Sequence, residues 1–159
     1  TEAARLAVGM EESLKRFYQE LQLMVADPEA QELFQLMVEV SEKHKQKFLE
    51  FWTHLTPEPG VATLLADLNT EILEGGFRFS EFLQENAPHM RTLMGALEVA
   101  MMLEAQALDL YKRLADRVEL QTTRSLLLQV AQEEKQHLNL VGELLNRKVA
   151  APTPTGGSP

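Results

Sequence analysis

The stretch Val130-Ala131-Gln132-Glu133-Glu134-Lys135-Gln136-His137 sets a carboxylate and an imidazole three residues apart inside an apolar run. At helical spacing Leu127, Val130, Glu134, His137, Val141 and Leu144 share one stripe, so Glu134 and His137 point where the apolar side chains point. Taking a carboxylate and an imidazole out of water is costly, and a divalent metal offsets that cost because it satisfies both as ligands. Glu-x-x-His alone is a common helical pattern. A repeat gives it weight here. Shifted by 93 positions, Glu11 falls on Glu104, Tyr18 on Tyr111 and His44 on His137, with no gap. Apolar positions follow the same offset, Leu21 over Leu114, Leu33 over Leu126, Met37 over Val130 and Phe48 over Val141. The chain reads as two copies of one helical hairpin.

Four helices must position these groups. The first, about residues 2–26, carries Ala4, Ala7, Glu11, Leu14, Tyr18, Leu21 and Val25 inward. Asp27-Pro28-Glu29 then supplies an N-cap, a proline at the first helical position and an acidic first turn. The second helix runs to about Leu55 with Leu33, Met37, Val40, Ser41, His44, Phe48, Phe51 and Leu55 inward, and Glu42, Lys43, Lys45 and Lys47 toward solvent. Thr56-Pro57-Glu58-Pro59-Gly60 stops it, and about 35 residues of mixed character follow. Within them Val61 to Leu73 has some helical character, Gly75-Gly76 breaks it, and Ser80-Glu81-Phe82-Leu83 opens a short helix before Asn86-Ala87-Pro88. Such a connection is long enough to cross from one end of a bundle to the other and make helices two and three parallel. Helix three is expected from about His89 to Glu119, with Leu93, Leu97, Ala100, Glu104, Ala107, Tyr111, Leu114 and Val118 inward, and helix four from Gln121-Thr122-Thr123 to about Arg147. Residues 149–159, rich in proline, glycine and threonine, read as a disordered tail or linker behind a domain of residues 1–148.

Depth along the helices brings the polar groups to one level. Glu11 lies 16 residues before Asp27 and His44 lies 17 after it, so at about 1.5 Å per residue both sit roughly 25 Å from the turn. Glu104 precedes Gln121 by 17 residues, and Glu134 and His137 follow it by 13 and 16. Two hairpins side by side would gather all five in one layer. Tyr18 and Tyr111, two turns beyond Glu11 and Glu104, are placed to hydrogen-bond ligand carboxylates from outside. His54 and His89 lie near helix ends without matching carboxylates and stay out of this site, and Met37, Met101 and Met102 read as core.

Composition narrows the chemistry. The 159 residues, 45% hydrophobic, suffice for one domain with a substantial core. A net charge of -9 without a Lys/Arg cluster argues against a nucleic-acid partner. With no cysteine, disulfides, thiolate zinc sites and thiolate iron centres are excluded within the chain, and a cytoplasmic location fits. No apolar run approaches the roughly 20 residues of a membrane span, and no signal-peptide pattern opens the chain, so a soluble protein without a membrane partner is expected. The start at Thr1 fits a processed chain or a piece of a longer one.

Glu on helix one, Glu-x-x-His on helix two, Glu on helix three and Glu-x-x-His on helix four is the ligand plan of ferritin-like di-iron carboxylate proteins, and this all-α chain resembles their rubrerythrin branch. It is most similar to rubrerythrin-like domains fused to rhodanese domains, through Gly9-Met10-Glu11-Glu12, Phe17-Tyr18, Glu42-Lys43-His44-Lys45, Leu73-Glu74-Gly75-Gly76-Phe77, the run Met102 to Tyr111, and Glu133-Glu134-Lys135-Gln136-His137. The resemblance covers residues 1–148. It implies a four-helix bundle with a long crossover between helices two and three, a homodimer, and two iron ions held by Glu11 and Glu104 as terminal ligands, His44 and His137 as imidazole ligands and Glu134 as a bridge. Carboxylates and imidazoles suit Fe or Mn, and Zn also binds such donors. The implied activity is reduction of peroxide or dioxygen, with Tyr18 and Tyr111 orienting ligands and an external electron donor replacing the rubredoxin centre this chain lacks.

One position departs from the plan. A second bridging Glu belongs three residues before His44, where this chain has Ser41. Glu42 and Glu39 are rotated from His44 by about 200° and 140° and cannot replace it on a regular helix. Four carboxylates neutralise two divalent ions, whereas Glu11, Glu104 and Glu134 leave one positive charge in excess. Hydroxide, Glu71 or Glu74 from the crossover, or the loss of one metal would each restore balance. The alternative to a redox enzyme is a single-metal or non-catalytic domain serving a structural or regulatory role beside another activity.

Overall fold

The computed structural model describes residues 2–55, 66, 68, 70 and 78–151, with side chains from Arg5 onward. Among them are five helices and no strand: α1 (Glu2–Met24), α2 (Pro28–Leu55), α3 (Phe79–Met90), α4 (Leu93–Arg117) and α5 (Gln121–Ala150). The expected all-α bundle of two hairpins is the observed one, α1 packing along α2 and α4 along α5.

Local chemistry sets the ends. The Asp27 side chain accepts the Ala30 N–H at 3.0 Å with Pro28 as the first helical residue, the start expected for α2. The expected start of the third long helix at His89 is corrected. α3 runs through Pro88 to Met90, and α4 begins only at Leu93. Pro88 lies in the last turn of α3, where a missing N–H costs only one of the final intrahelical bonds. The chain then restarts on Thr92, whose Oγ1 accepts the Gly95 N–H at 3.0 Å and donates to the His89 carbonyl at 2.8 Å. Gly95 is forced by this corner: a Cβ there would lie 2.1 Å from the His89 carbonyl oxygen. α5 extends to Ala150, slightly past the expected boundary near 148.

The hairpins pack head to tail. Glu29 pairs with Arg147 and His44 with Glu133, so α2 and α5 are antiparallel; Tyr18 meets Glu104 and Tyr111 meets Glu11, so α1 and α4 are too. With α1 also antiparallel to α2, α2 and α4 run parallel, as a long crossover requires. Most of that crossover, Glu71 and Glu74 included, lies outside the described residues, as does the tail from 152 onward. Where it is described, the Thr70 carbonyl accepts from Ser13 Oγ and Arg16 Nη1, both at 3.1 Å, pinning it to α1. Phe79 and Phe82 of α3 pack on Phe17, with Arg16 over the Phe79 ring.

The core is one cluster running between both hairpins. The stripes expected on α1 from Ala7 to Val25 and on α5 from Leu127 to Leu144 are buried throughout. α2 is rotated slightly from the expected face: Phe34 and Trp52 are buried where Leu33 and Phe51 were expected, and Leu55 is exposed. Phe34 stacks on Tyr18 within the first hairpin and Phe48 on Tyr111 across to the second, so aromatic rings occupy this face of α2. Gly95→Ala should lower unfolding stability by about 1–3 kcal/mol through forced overpacking at the α3–α4 corner, read as an earlier urea midpoint with unchanged helicity.

Candidate metal centre

Glu11, His44, Glu104, Glu134 and His137 converge in the middle of the bundle, at 1%, 0%, 2%, 3% and 8% exposure. Each comes from a different turn of α1, α2, α4 or α5, in the layer that the depth count assigned to them. They form two triads, Glu11–His44–Glu134 and Glu104–Glu134–His137, with the ligand atoms of each within 4.8 Å of one another. Glu134 belongs to both. Its Oε1 lies 2.9 Å from His44 Nδ1 and its Oε2 lies 3.1 Å from His137 Nδ1, one oxygen toward each half. Glu11 Oε1 approaches His44 Nδ1 at 3.4 Å and Glu104 Oε2 approaches His137 Nδ1 at 3.6 Å. The imidazole rings face each other with centroids 5.8 Å apart.

The tyrosines act across the hairpins. Tyr18 Oη donates to Glu104 Oε1, and Tyr111 Oη donates to Glu11 Oε1. Each hydroxyl therefore reaches the carboxylate of the opposite copy, where the sequence placed it only near a carboxylate. Both rings are fully buried, so they seal the layer as well as orient it. His89 bonds Glu98 and His54 the Glu50 carbonyl near helix ends, away from the layer as expected.

The electrostatics are those of groups held out of water. Burial pushes Glu104 up to about 8 and raises Glu11. Burial works against a charge on His44 as well, but Glu11 and Glu134 reverse it and carry the imidazole up to about 11; Glu104 and Glu134 do the same for His137, to about 9. Glu134, despite its burial, is drawn down to about 2 by His137 and His44. Glu11 Oε2 and Glu104 Oε2 are buried without a hydrogen-bond partner, and His44 Nδ1, ion-paired with Glu134, makes no well-aligned hydrogen bond; all three residues belong to the triads. Unpaired acceptors and a ring nitrogen within the two triads are what a cation would satisfy, and an all-oxygen-and-nitrogen donor set suits Fe, Mn or Zn. The residues present fit a metal.

Residues 95–151 match the family model Rubrerythrin. That segment, about a third of the chain, is similar to rubrerythrins. It is the α4–α5 hairpin, with Glu104, Glu134 and His137; the match says nothing of α1, α2 or a rhodanese partner. No curated protein and no solved structure matches the chain. Similarity to rubrerythrins implies iron or another metal, and the buried Glu and His groups form two clusters that could hold one.

Two features separate the halves of the site. Ser41 is buried one turn before His44, at the position the 93-residue offset pairs with Glu134, so the first half has a hydroxyl where the second has a carboxylate. Glu133, which sequence reasoning passed over, accepts from His44 Nε2 at 2.7 Å, and Lys47 binds both its oxygens at 2.8 and 2.9 Å. A signal for it existed: the offset pairs Glu133 with Val40, an asymmetry beside the ligand motif. Burial alone would raise Glu133, and Lys47 and His44 hold it below the ordinary carboxylate value.

Tyr18→Phe or Tyr111→Phe removes a donor from a carboxylate that water cannot reach, at a cost of about 1–3 kcal/mol each. Urea unfolding of the metal-free protein should show that loss, and unchanged midpoints would remove the tyrosines from the site's support.

Proposed function

We propose that this domain binds two metal ions, iron in the cell, and reduces peroxide or dioxygen with electrons from an external donor. The observation that supports it best is the Glu134 carboxylate, one oxygen facing each triad. Glu11 and His44 would complete one metal position with Glu134, and Glu104 and His137 the other. Iron, when bound, supplies the electron-transfer capacity that reduction of peroxide or dioxygen needs. The chain's own contribution is positional. Tyr111 and Tyr18 orient the terminal carboxylates, Glu134 holds both halves in register, and the aromatic packing of Phe34 and Phe48 keeps bulk water from the layer.

Ser41 favours a second reading. With three carboxylates the paired ions carry one uncompensated positive charge, and a site that holds one metal for structure or regulation avoids this repulsion. The two readings differ in stoichiometry and turnover. On the redox reading, iron-loaded reduced protein holds two metals and is oxidised by stoichiometric peroxide, whereas the structural reading requires one metal and no peroxide-dependent oxidation.

Glu134→Ala, with Glu134→Gln beside it to preserve shape, should lose most bound metal, while the surface control Glu143→Ala keeps it. Full occupancy in both Glu134 variants would refute the shared bridge. Ser41→Glu places a carboxylate beside His44 and should tighten the weaker metal position and speed peroxide-dependent oxidation. Two equally tight positions in the wild type would mean that another group already supplies the missing charge. Metal titration by calorimetry, with wild type and variant side by side, decides this.

A further inference from the structure

Resting on the metal-binding reading, the geometry points to Glu133 as a positioning residue that prepares His44 as a metal ligand and makes up for the carboxylate absent at Ser41. Glu133 adjoins Glu134 on α5 but reaches past both triads to the outer edge of the His44 ring, where its Oε2 lies 2.7 Å from Nε2. An imidazole offers a metal only the nitrogen that carries no hydrogen. A carboxylate on Nε2 keeps the hydrogen there and leaves the Nδ1 lone pair, which faces Glu11 and Glu134, for the metal. It also makes the ring a stronger donor, as carboxylates behind ligating histidines generally do.

Glu133 is itself fixed. Lys47 binds both oxygens, and Gln129 Nε2 donates to Oε1 at 3.2 Å. The arrangement exists on one side only: among the described residues no carboxylate bonds His137 Nε2, and the offset that pairs His44 with His137 pairs Glu133 with Val40. The half with Ser41 where the other has Glu134 carries a carboxylate behind its imidazole, and among the described residues the other half carries none.

The test uses the full chain and zinc, which is diamagnetic, so each histidine ring can be followed by NMR while calorimetry reports affinity. In wild type the His44 Nε2–H should resonate downfield and exchange slowly with water. Glu133→Ala should weaken zinc binding in the His44 half by about 10–100-fold, move that resonance upfield and speed its exchange, with the His137 half unchanged. Glu133→Gln keeps an acceptor oxygen and should restore the slow exchange with an affinity between the other two. Lys47→Ala removes the ion pair but not the carboxylate and should behave as wild type. Wild-type zinc affinity in both halves of Glu133→Ala overturns this inference alone, as does a Lys47→Ala variant that reproduces the full loss. A wild type that takes up no zinc overturns the metal-binding reading and this inference with it.

Discussion

Three carboxylates and two imidazoles are held out of water in one layer of this bundle, and the rest of the molecule is arranged around making that tolerable. Desolvating an ionised side chain costs several kcal/mol even after relaxation, and the net stability of a domain is only about 5–15 kcal/mol. Five such groups cannot simply be buried. Without metal the protein compensates internally, by protonating imidazoles against carboxylates and by raising Glu104 toward neutrality. In this layer Glu11 Oε2 and Glu104 Oε2 still lack hydrogen-bond partners and mark where internal compensation ends.

The crossed tyrosines link this layer to the fold. The bonds from Tyr18 to Glu104 and from Tyr111 to Glu11 run between hairpins, whereas the close backbone packing runs within them. The hairpins are therefore joined largely through side chains, with Phe48 stacked on Tyr111 across the joint and Phe34 backing Tyr18 within the first hairpin. A disturbance of the polar layer acts on hairpin docking, and a disturbance of docking reaches the layer. Ion pairs at the bundle end, Lys148 with Asp27 and Arg147 with Glu29, are exposed enough to contribute little by comparison.

The internal repeat makes the site nearly two-fold symmetric, and the two triads differ where that symmetry fails. Ser41 against Glu134 and Val40 against Glu133 are adjacent failures, one inside the site and one behind His44. The negative charge missing from the first is offset at longer range by the second, weakened by Lys47. The two triads are therefore chemically non-equivalent.

The pattern of residue types by itself determined the helices, the ligand layer and the level at which it lies, because helical period and rise convert spacing into face and depth. Glu11, His44, Glu104, Glu134 and His137 were legible for that reason, as was Asp27 beginning α2. The parallel run of α2 and α4 was legible only from the length of the crossover. What tertiary structure alone decided was which side chain meets which across the gap between hairpins. Spacing along one helix says nothing about the partner helix's azimuth, so the swap of each tyrosine to the other copy's glutamate and the reach of Glu133 to His44 stayed hidden. The end of α3 was misjudged for a related reason. Pro88 reads locally as a stop, but in a last turn it removes little, and the corner is set instead by Gly95 closing on the His89 carbonyl, a contact between residues that only the folded chain brings together.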